Sequence, residues 1–236
     1  MGAIGHFAML AAQQDMVGTC AVAAGSGILP TFGAEPRFGT NPIAIAAPAR
    51  NEAPFLFDAA TAAISGNKMQ LAARVGANLL PGWVAKLDGT PIQEESPVGE
   101  KGDYYQLLLG GTRDLGSHKG YGFALMAEVM GSLLSGLPAG MVQGNSSWIS
   151  SKSLLTAHNI SAFTDLDSFK DNMDRTLKRL RESRPAPGHD RVLYPGLTEG
   201  EEEQDRRANG IPLHREVIRW FEDISGELSV PRLELA

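Results

Sequence analysis

The spacing of apolar residues predicts helices most clearly in the last third of the chain. Phe169, Met173, Leu177 and Leu180 are four, four and three residues apart, which places them on one side of a helix. Asp167 is the predicted cap of this helix, and the prolines at 185 and 187 would stop it. Two more helices are predicted, a charged one over residues 199–209 that Gly210 ends and an amphipathic one built on Leu213, Val217, Ile218, Phe221 and Ile224.

The first two thirds of the chain alternate between helical and extended patterns. Helices are predicted over 7–17, where Gly18 would end the first, and over 61–75, and strands over 19–24, 43–47 and 55–57. Residues 119–134 are apolar around nearly the whole circumference of a helix, which predicts a helix buried inside the domain.

Less regular patterns connect these elements. Residues 76–116 are punctuated by glycine turns, and residues 140–158 are rich in Ser, Gly and Asn and favour a surface excursion. Short strands are predicted over 159–164 and 191–194. The mixture of helices and strands, without an internal repeat, predicts a single region of the α/β class.

Composition excludes several classes of protein. A formal net charge of −6 argues against a nucleic-acid binder, which needs a basic face, although a local basic pocket could still hold a small anion. The single cysteine, Cys20, cannot form an internal disulfide, which fits the cytoplasm. No stretch of eighteen uncharged apolar residues is present, and residues 1–14 lack the basic start of a signal peptide. We therefore expect a cytoplasmic protein that does not cross a membrane.

Two familiar nucleotide-binding motifs fail on inspection. Gly25 and Gly27 follow a predicted strand, but Leu29-Pro30 stand where a Rossmann fingerprint needs a third glycine and a helix start. The segment 111–116 has the glycine spacing of a P-loop, but Ser117-His118 replace the required Lys-Ser/Thr. Any nucleotide site must therefore be built in another way.

Three segments remain as candidate sites, each with a simpler structural interpretation. In GSHKGYG (116–122), a glycine-rich loop opens a helix whose N-terminus and Lys119 could hold an anion, or the glycines only permit close packing and Lys119 is solvated. In FGTNP (38–42), Thr and Asn could bind a ligand or only form a turn. Asp58, at the end of a strand, could bind a ribose or cap a helix.

The remaining reactive residue types suggest no further site. The five histidines lack the spacing of metal ligands, so no metal site is predicted. His214 is expected at the surface, and His158 and His189 in loops or at strand edges. No Gly-x-Ser-x-Gly motif is present, and Cys20 lies in an apolar strand, where it is expected to be inert.

Five blocks in this order resemble the malate/L-lactate dehydrogenase family. They are FGTNPIAIAAP (38–48), FDAATAAISGNKMQLAARVG (57–76), PGWVAKLDGTPI (81–92), GSHKGYGFALMAEVMGSLLSG (116–136) and PAPGHDRVLYPG (185–196). One such block would be weak, but five in order extend over essentially the whole chain. The resemblance implies a non-Rossmann α/β fold that binds NAD or NADP.

The resemblance also implies which residues contact the cofactor. The family positions map to Asp58, Ala59 and Ala60 after the FD strand, to Lys119, and to Gly196, Leu197 and Thr198 after Tyr194-Pro195. Ala24 is a further position, where the family usually has serine or asparagine, so only its backbone is available. Leu197 likewise replaces a polar side chain of the family.

The family's proton-transferring histidine would fall immediately before Met1. The upstream helical segment that supplies substrate ligands would also be missing, so residues 1–236 are expected to be an incomplete member of the family with impaired activity. His6 lies where an aromatic residue is usual, and no catalytic role is assigned to it or to any other residue. The implied reaction is hydride transfer between NAD(P) and a small 2-hydroxy or 2-oxo acid, in a homodimer. The alternative is a non-catalytic nucleotide-binding or subunit-interaction protein derived from the family.

Overall fold

The computed structural model describes residues 2–100, 102–143 and 151–233. Its main sheet contains β1 (Met16–Ala24), β2 (Ile43–Ala47), β3 (Phe55–Ala59) and β6 (Ser151–Asn159). The spatial order is β3-β2-β1-β6, and each neighbouring pair is antiparallel. A Rossmann domain has a mostly parallel sheet, so the prediction of a mixed α/β fold without a Rossmann domain is confirmed.

The described helices lie before, between and after these strands along the chain. They are α1 (Gly5–Ala12), α2 (Gly66–Val75), α3 (Ser117–Gly131), α4 (Gly140–Gln143), α5 (Leu166–Arg181), α6 (Leu197–Asn209) and α7 (Arg215–Leu228). A two-stranded ribbon, β4 (Val84–Ala85) with β5 (Tyr105–Gln106), interrupts the irregular region between α2 and α3. Within the described ranges, no helix is both long and apolar enough to cross a bilayer.

Helix α1 covers one face of the sheet at close range. A Cβ built on Gly18, in the middle of β1, would overlap the carbonyl oxygen of Ala8 in α1. Only a glycine therefore allows the helix backbone to rest on the strand. The core between them consists of small and medium apolar side chains, namely Ile4, Ala8, Ala12, Cys20, Val22, Ala44 and Ala46.

Helix α3 packs against the opposite face and is only half buried. Small residues, including Ala124, Ala127 and Gly131, face the protein. Its outer side exposes Phe123, Leu125, Met126 and Val129, each at least 40% accessible. The prediction of a helix buried inside the domain was therefore wrong. Apolar residues all around a helix do not show whether other parts of the chain pack against each of its sides.

Two other predicted helices differ from the structure at their ends. The predicted helix 7–17 ends at Ala12, and residues 16–18 already belong to β1. A turn centred on Asp15, whose φ is +57°, separates the two elements. The predicted helix 61–75 begins only at Gly66, because the Ser65 hydroxyl caps it by accepting the N–H of Lys68 at 3.3 Å.

The predicted surface excursion over 140–158 is wrong in its second half. Residues 151–158 belong to β6, which pairs with β1 along nine positions, and residues 144–150 lie outside the described ranges. The predicted strand 159–164 is instead the end of β6 and a 3-10 turn over Ile160–Ala162. Residues 191–194 form no strand.

The helices predicted in the last third of the chain are confirmed as α5, α6 and α7. The N-cap of α5 is Asp165, whose carboxylate accepts the N–H of Ser168 at 2.8 Å, and not the predicted Asp167. Gly210 ends α6, as predicted. The apolar period of α5 and α7 and the charge distribution of α6 thus located the three helices, and the capping geometry fixed the first residue of α5.

Candidate cofactor site

A short segment between β1 and β2 joins two of the predicted cofactor positions. The N–H of Ala24 donates to Oδ1 of Asn41 at 3.1 Å, and a Cβ on Gly39 would overlap the Ala24 carbonyl oxygen. On the other side, the carbonyl oxygen of Thr40 accepts the backbone N–H of Thr61 at 2.8 Å and its hydroxyl at 3.0 Å. Residues 39–41, which we name the 39–41 bracket, therefore hold the end of β1 beside the chain that follows β3.

The N-terminus of α3 lies next to the same place. The N–H of Leu109 donates to the carbonyl oxygen of Thr61 at 2.8 Å, and a Cβ on Gly120 would overlap the Leu109 carbonyl oxygen. Only the backbone of Leu109 therefore separates the first turn of α3 from Thr61. Ala60 and Tyr121 pack against one buried apolar cluster. The structure thus brings Ala24, the 58–60 segment and the start of α3 together.

Lys119 is exposed at this end of α3. The aliphatic stem and Nζ of its side chain pass over Gly116, whose built Cβ would lie 3.7–3.9 Å from them. Among the described residues, its ammonium has no carboxylate within ion-pair distance. The helix dipole is also positive at this end. The start of α3 therefore combines a cation with a helix N-terminus, a pairing suited to phosphate.

Asp58 binds the N-terminus of α1 and does not cap the helix that follows β3, which Ser65 caps. Its Oδ2 accepts the N–H of Gly5 at 2.7 Å, in the first turn of α1. The side chain remains exposed, whereas Ala59 and Ala60 are half buried. The other carboxylate oxygen of Asp58 is thus available to a ligand while this hydrogen bond is kept.

The predicted segment 196–198 lies at the opposite end of β3. The N–H of Leu56 donates to the carbonyl oxygen of Pro195 at 3.0 Å, and a Cβ on Gly196 would overlap the Pro54 carbonyl oxygen. The Leu197 side chain is buried in a separate core with Leu177 and Tyr194, so only its backbone can face a ligand. Leu56 is two residues from Asp58, about 7 Å along the strand.

The cysteine and the histidines carry no metal or nucleophile site among the described residues. Burial and, second, the nearby Asp58 carboxylate raise the pKa of the Cys20 thiol, which keeps it protonated and unreactive. His214 caps α7 through the N–H of Glu216, and His158 lies on the edge strand β6. His6 is exposed on α1 beside the ring of Phe7. No group of three potential metal ligands occurs in the described ranges.

Two buried polar residues lie next to the site, and neither of their roles was predicted from sequence. Asn41 was considered as a ligand-binding or turn-forming residue, but residues 39–42 form no turn and its amide is bonded to Ala24, Ala124 and Glu128. Glu128 is also fully buried and was missed. Its only sequence signal was one carboxylate within the apolar run of α3.

Comparison with known proteins agrees with this architecture. The model of the family described as malate/L-lactate dehydrogenase matches residues 1–222. The chain belongs to the malate/L-lactate dehydrogenase family. It is 32% identical to a malate dehydrogenase of Pyrococcus abyssi, over 99% of this chain and 65% of the relative. It is 27% identical to a ureidoglycolate dehydrogenase (NAD(+)) of Escherichia coli K12, over 93% and 61%.

Solved structures from this family have the same fold. The crystal structure of malate dehydrogenase from Entamoeba histolytica matches with a TM-score of 0.88 at 33% identity, over 99% of this chain and 66% of that one. Malate dehydrogenase from Pyrococcus horikoshii matches with a TM-score of 0.82 at 28% identity, over 98% and 63%. The chain therefore spans just under two thirds of the length of these family members.

Proposed function

We propose that this protein is an NAD(P)-dependent oxidoreductase that transfers a hydride between the nicotinamide and carbon 2 of a small 2-hydroxy or 2-oxo acid. One observation carries the proposal. The end of β1 at Ala24, the chain that follows Asp58 and the first turn of α3 lie far apart in sequence but are connected through the 39–41 bracket and Leu109. The family members that the chain resembles are named malate and ureidoglycolate dehydrogenases.

The residues at this place have the chemistry that a dinucleotide requires. Lys119 and the N-terminus of α3 would hold phosphate groups through charge-assisted hydrogen bonds. The open carboxylate oxygen of Asp58 would accept a hydrogen bond from a ribose hydroxyl, and Ala24 would offer backbone groups. Segment 196–198, at the other end of β3, would contact a different part of the elongated cofactor. These residues would bind and orient the cofactor, whose nicotinamide would supply the hydride chemistry.

The substrate side of the reaction is proposed from the family alone. Reduction of a 2-oxo acid requires a proton donor at the oxygen and a cation for the carboxylate. We assign neither role to His6 or to any other residue of this chain. NAD and NADP both remain candidates, and the single buried Cys20 agrees with a reducing, cytoplasmic setting.

Isotope transfer tests the proposal. The purified protein is titrated with NADH and with NADPH by fluorescence, then incubated with the nicotinamide deuterated at carbon 4 and with the 2-oxo acids of malate and lactate. We expect saturable binding and a product that carries one deuterium at carbon 2, formed slowly because no residue of 1–236 is assigned as proton donor. Binding without transfer would favour the alternative of a non-catalytic nucleotide-binding protein, and absence of binding would refute both.

We also propose that the protein is a homodimer through the exposed face of α3. The accessible surface of the chain is 15,107 Å², whereas a compact monomer of 25.1 kDa exposes about 10,000 Å². The surplus of about 5,000 Å² is larger than the share that one partner contributes to a permanent interface, about 1,000–2,500 Å², so a second copy of the chain would cover only part of it. Phe123, Met126 and Val129 supply an apolar surface of the kind that such interfaces bury.

Sedimentation measurements test the dimer. Wild-type protein should sediment at twice 25.1 kDa, and Phe123→Lys should reduce it to a monomer with an unchanged circular dichroism spectrum. Leu71→Lys, which changes an exposed leucine on α2, is the matched control and should remain dimeric. A monomeric wild type, or a dimeric Phe123→Lys variant, would contradict the proposal.

A further inference from the structure

Glu128 is a carboxylate enclosed in the protein next to the candidate cofactor site. It is 0% exposed. Its Oε1 accepts the amide N–H of Asn41 at 3.1 Å, and its Oε2 accepts the Ser132 hydroxyl at 3.0 Å and the N–H of Gly140 at 3.1 Å. Among the described residues, no cation lies within ion-pair distance of it. Burying a carboxylate is costly, so its position calls for a physical explanation.

Asn41 connects this carboxylate to the end of β1 through hydrogen bonds. Its Nδ2 donates both to Glu128 and to the carbonyl oxygen of Ala124 at 3.1 Å, while its Oδ1 accepts the N–H of Ala24. Its φ is +37°, in the left-handed region, and it has no accessible surface. The amide can satisfy all three partners in one orientation only, so it fixes α3 against the end of β1.

We propose that Glu128 and Asn41 are positioning residues for the cofactor, an inference that rests on the proposed function. Through Asn41 and the adjacent Thr40, they set the distance between Ala24, the 58–60 segment and α3. Lys119 lies on the same rigid helix as Glu128, about 13 Å away. Neither proposed residue touches the cofactor. They act by preorganising the groups that do, so that binding does not have to order them.

Three variants test this role at increasing severity. Ser132→Ala removes one donor to the carboxylate, and Glu128→Gln replaces an acceptor by a donor at nearly constant shape. Asn41→Asp places two carboxylates opposite each other. We expect the Kd for NADH to rise about threefold, at least tenfold and at least thirtyfold, respectively. Leu79→Ala, which creates a cavity in a separate core, is the control for lost stability. It should lower the melting temperature at least as much as Glu128→Gln does and leave the Kd for NADH unchanged.

The pH profile of Asn41→Asp separates positioning from mere destabilisation. Two facing carboxylates share one proton when the pH falls, because their repulsion raises the pKa of the pair. The shared proton restores a hydrogen bond between positions 41 and 128. The ratio of variant to wild-type Kd should therefore fall as the pH is lowered, while the ratio for Glu128→Gln stays constant.

The outcomes distinguish this inference from the proposed function. A wild type that does not bind NADH or NADPH refutes both. A wild type that binds, together with folded variants whose Kd values match that of Leu79→Ala, refutes the positioning role alone. If Glu128→Gln and Asn41→Asp fail to fold, the gentler Ser132→Ala decides, because an unchanged Kd in that folded variant would also refute the role.

Discussion

Removing the charge of Lys119 should weaken cofactor binding without weakening the fold. In the described part of the chain, its ammonium has no carboxylate partner and the side chain is exposed. A cation in the first turn of a helix opposes the helix dipole, at a cost of about 0.3–1 kcal/mol. Lys119→Ala should therefore leave the free energy of unfolding unchanged or raise it by a few tenths of a kcal/mol.

The same substitution should weaken cofactor binding, and this change in binding free energy should be larger than the change in the free energy of unfolding. A hydrogen bond from an ammonium to a phosphate contributes about 1.5–3 kcal/mol. At about 1.4 kcal/mol for each factor of ten, the Kd should rise about 10- to 100-fold. Lys119→Arg should recover part of this loss because it keeps the charge, although it changes the donor geometry.

Fluorescence titration with NADH and NADPH, paired with urea denaturation of each variant, measures both quantities. Lys178→Ala is the matched control, because it removes the same charge from an exposed position on α5, and its Kd should equal that of wild type. A Kd unchanged in Lys119→Ala for both cofactors would remove Lys119 from the site. If Lys119→Ala lost affinity and lost an equal amount of unfolding free energy, the argument that this lysine does not stabilise the fold would be refuted.

Two further predictions concern the scaffold. Gly18→Ala should destabilise the protein by about 3 kcal/mol, since the new Cβ would meet the Ala8 carbonyl. Gly226→Ala, in open space on α7, should stabilise it by about 0.5–1 kcal/mol. Urea denaturation that ranks the two variants otherwise would contradict the packing. Partial burial acts to raise the pKa of Asp174, but donors that include the Asn51 backbone and amide outweigh it and lower the pKa. Its stabilising contribution is therefore present above the ordinary pKa of about 4 and lost as the pH falls through the lowered value; Asp174→Asn should reduce the acid dependence of the melting temperature, and an unaltered dependence would contradict this.

Sequence patterns predicted elements whose apolar periodicity was unambiguous. Apolar residues recur every three to four positions in α5 and α7, and β2 has a compact apolar run, so local pattern and fold agree. Helix α6 was predicted from acids in its first turn and arginines in its last. The local pattern did not predict an element whose secondary structure depends on pairing with a strand far away in sequence. Residues 151–158 are rich in serine and polar residues, yet they form an edge strand because β1 offers them a complete set of backbone partners.

The site was predicted in part, for a comparable reason. Resemblance to the family indicated Ala24, Asp58 and Lys119, but it contained no information on what holds them together. The bonds from Asn41 to Glu128 and Ala24 join residues up to 87 positions apart. A single glutamate in an apolar helix has the same local signature whether it is exposed or buried. Only the packed structure distinguishes the two.

Hydrogen–deuterium exchange with and without NADH tests most directly whether the separate segments form one cofactor site. The account predicts that one saturating ligand slows exchange together in segments 24–27, 58–62, 116–120 and 196–198. Helix α7, which contains none of the assigned residues, should be unaffected. Protection confined to α7, or no protection in any of the four segments at a saturating NADH concentration, would contradict the central claim.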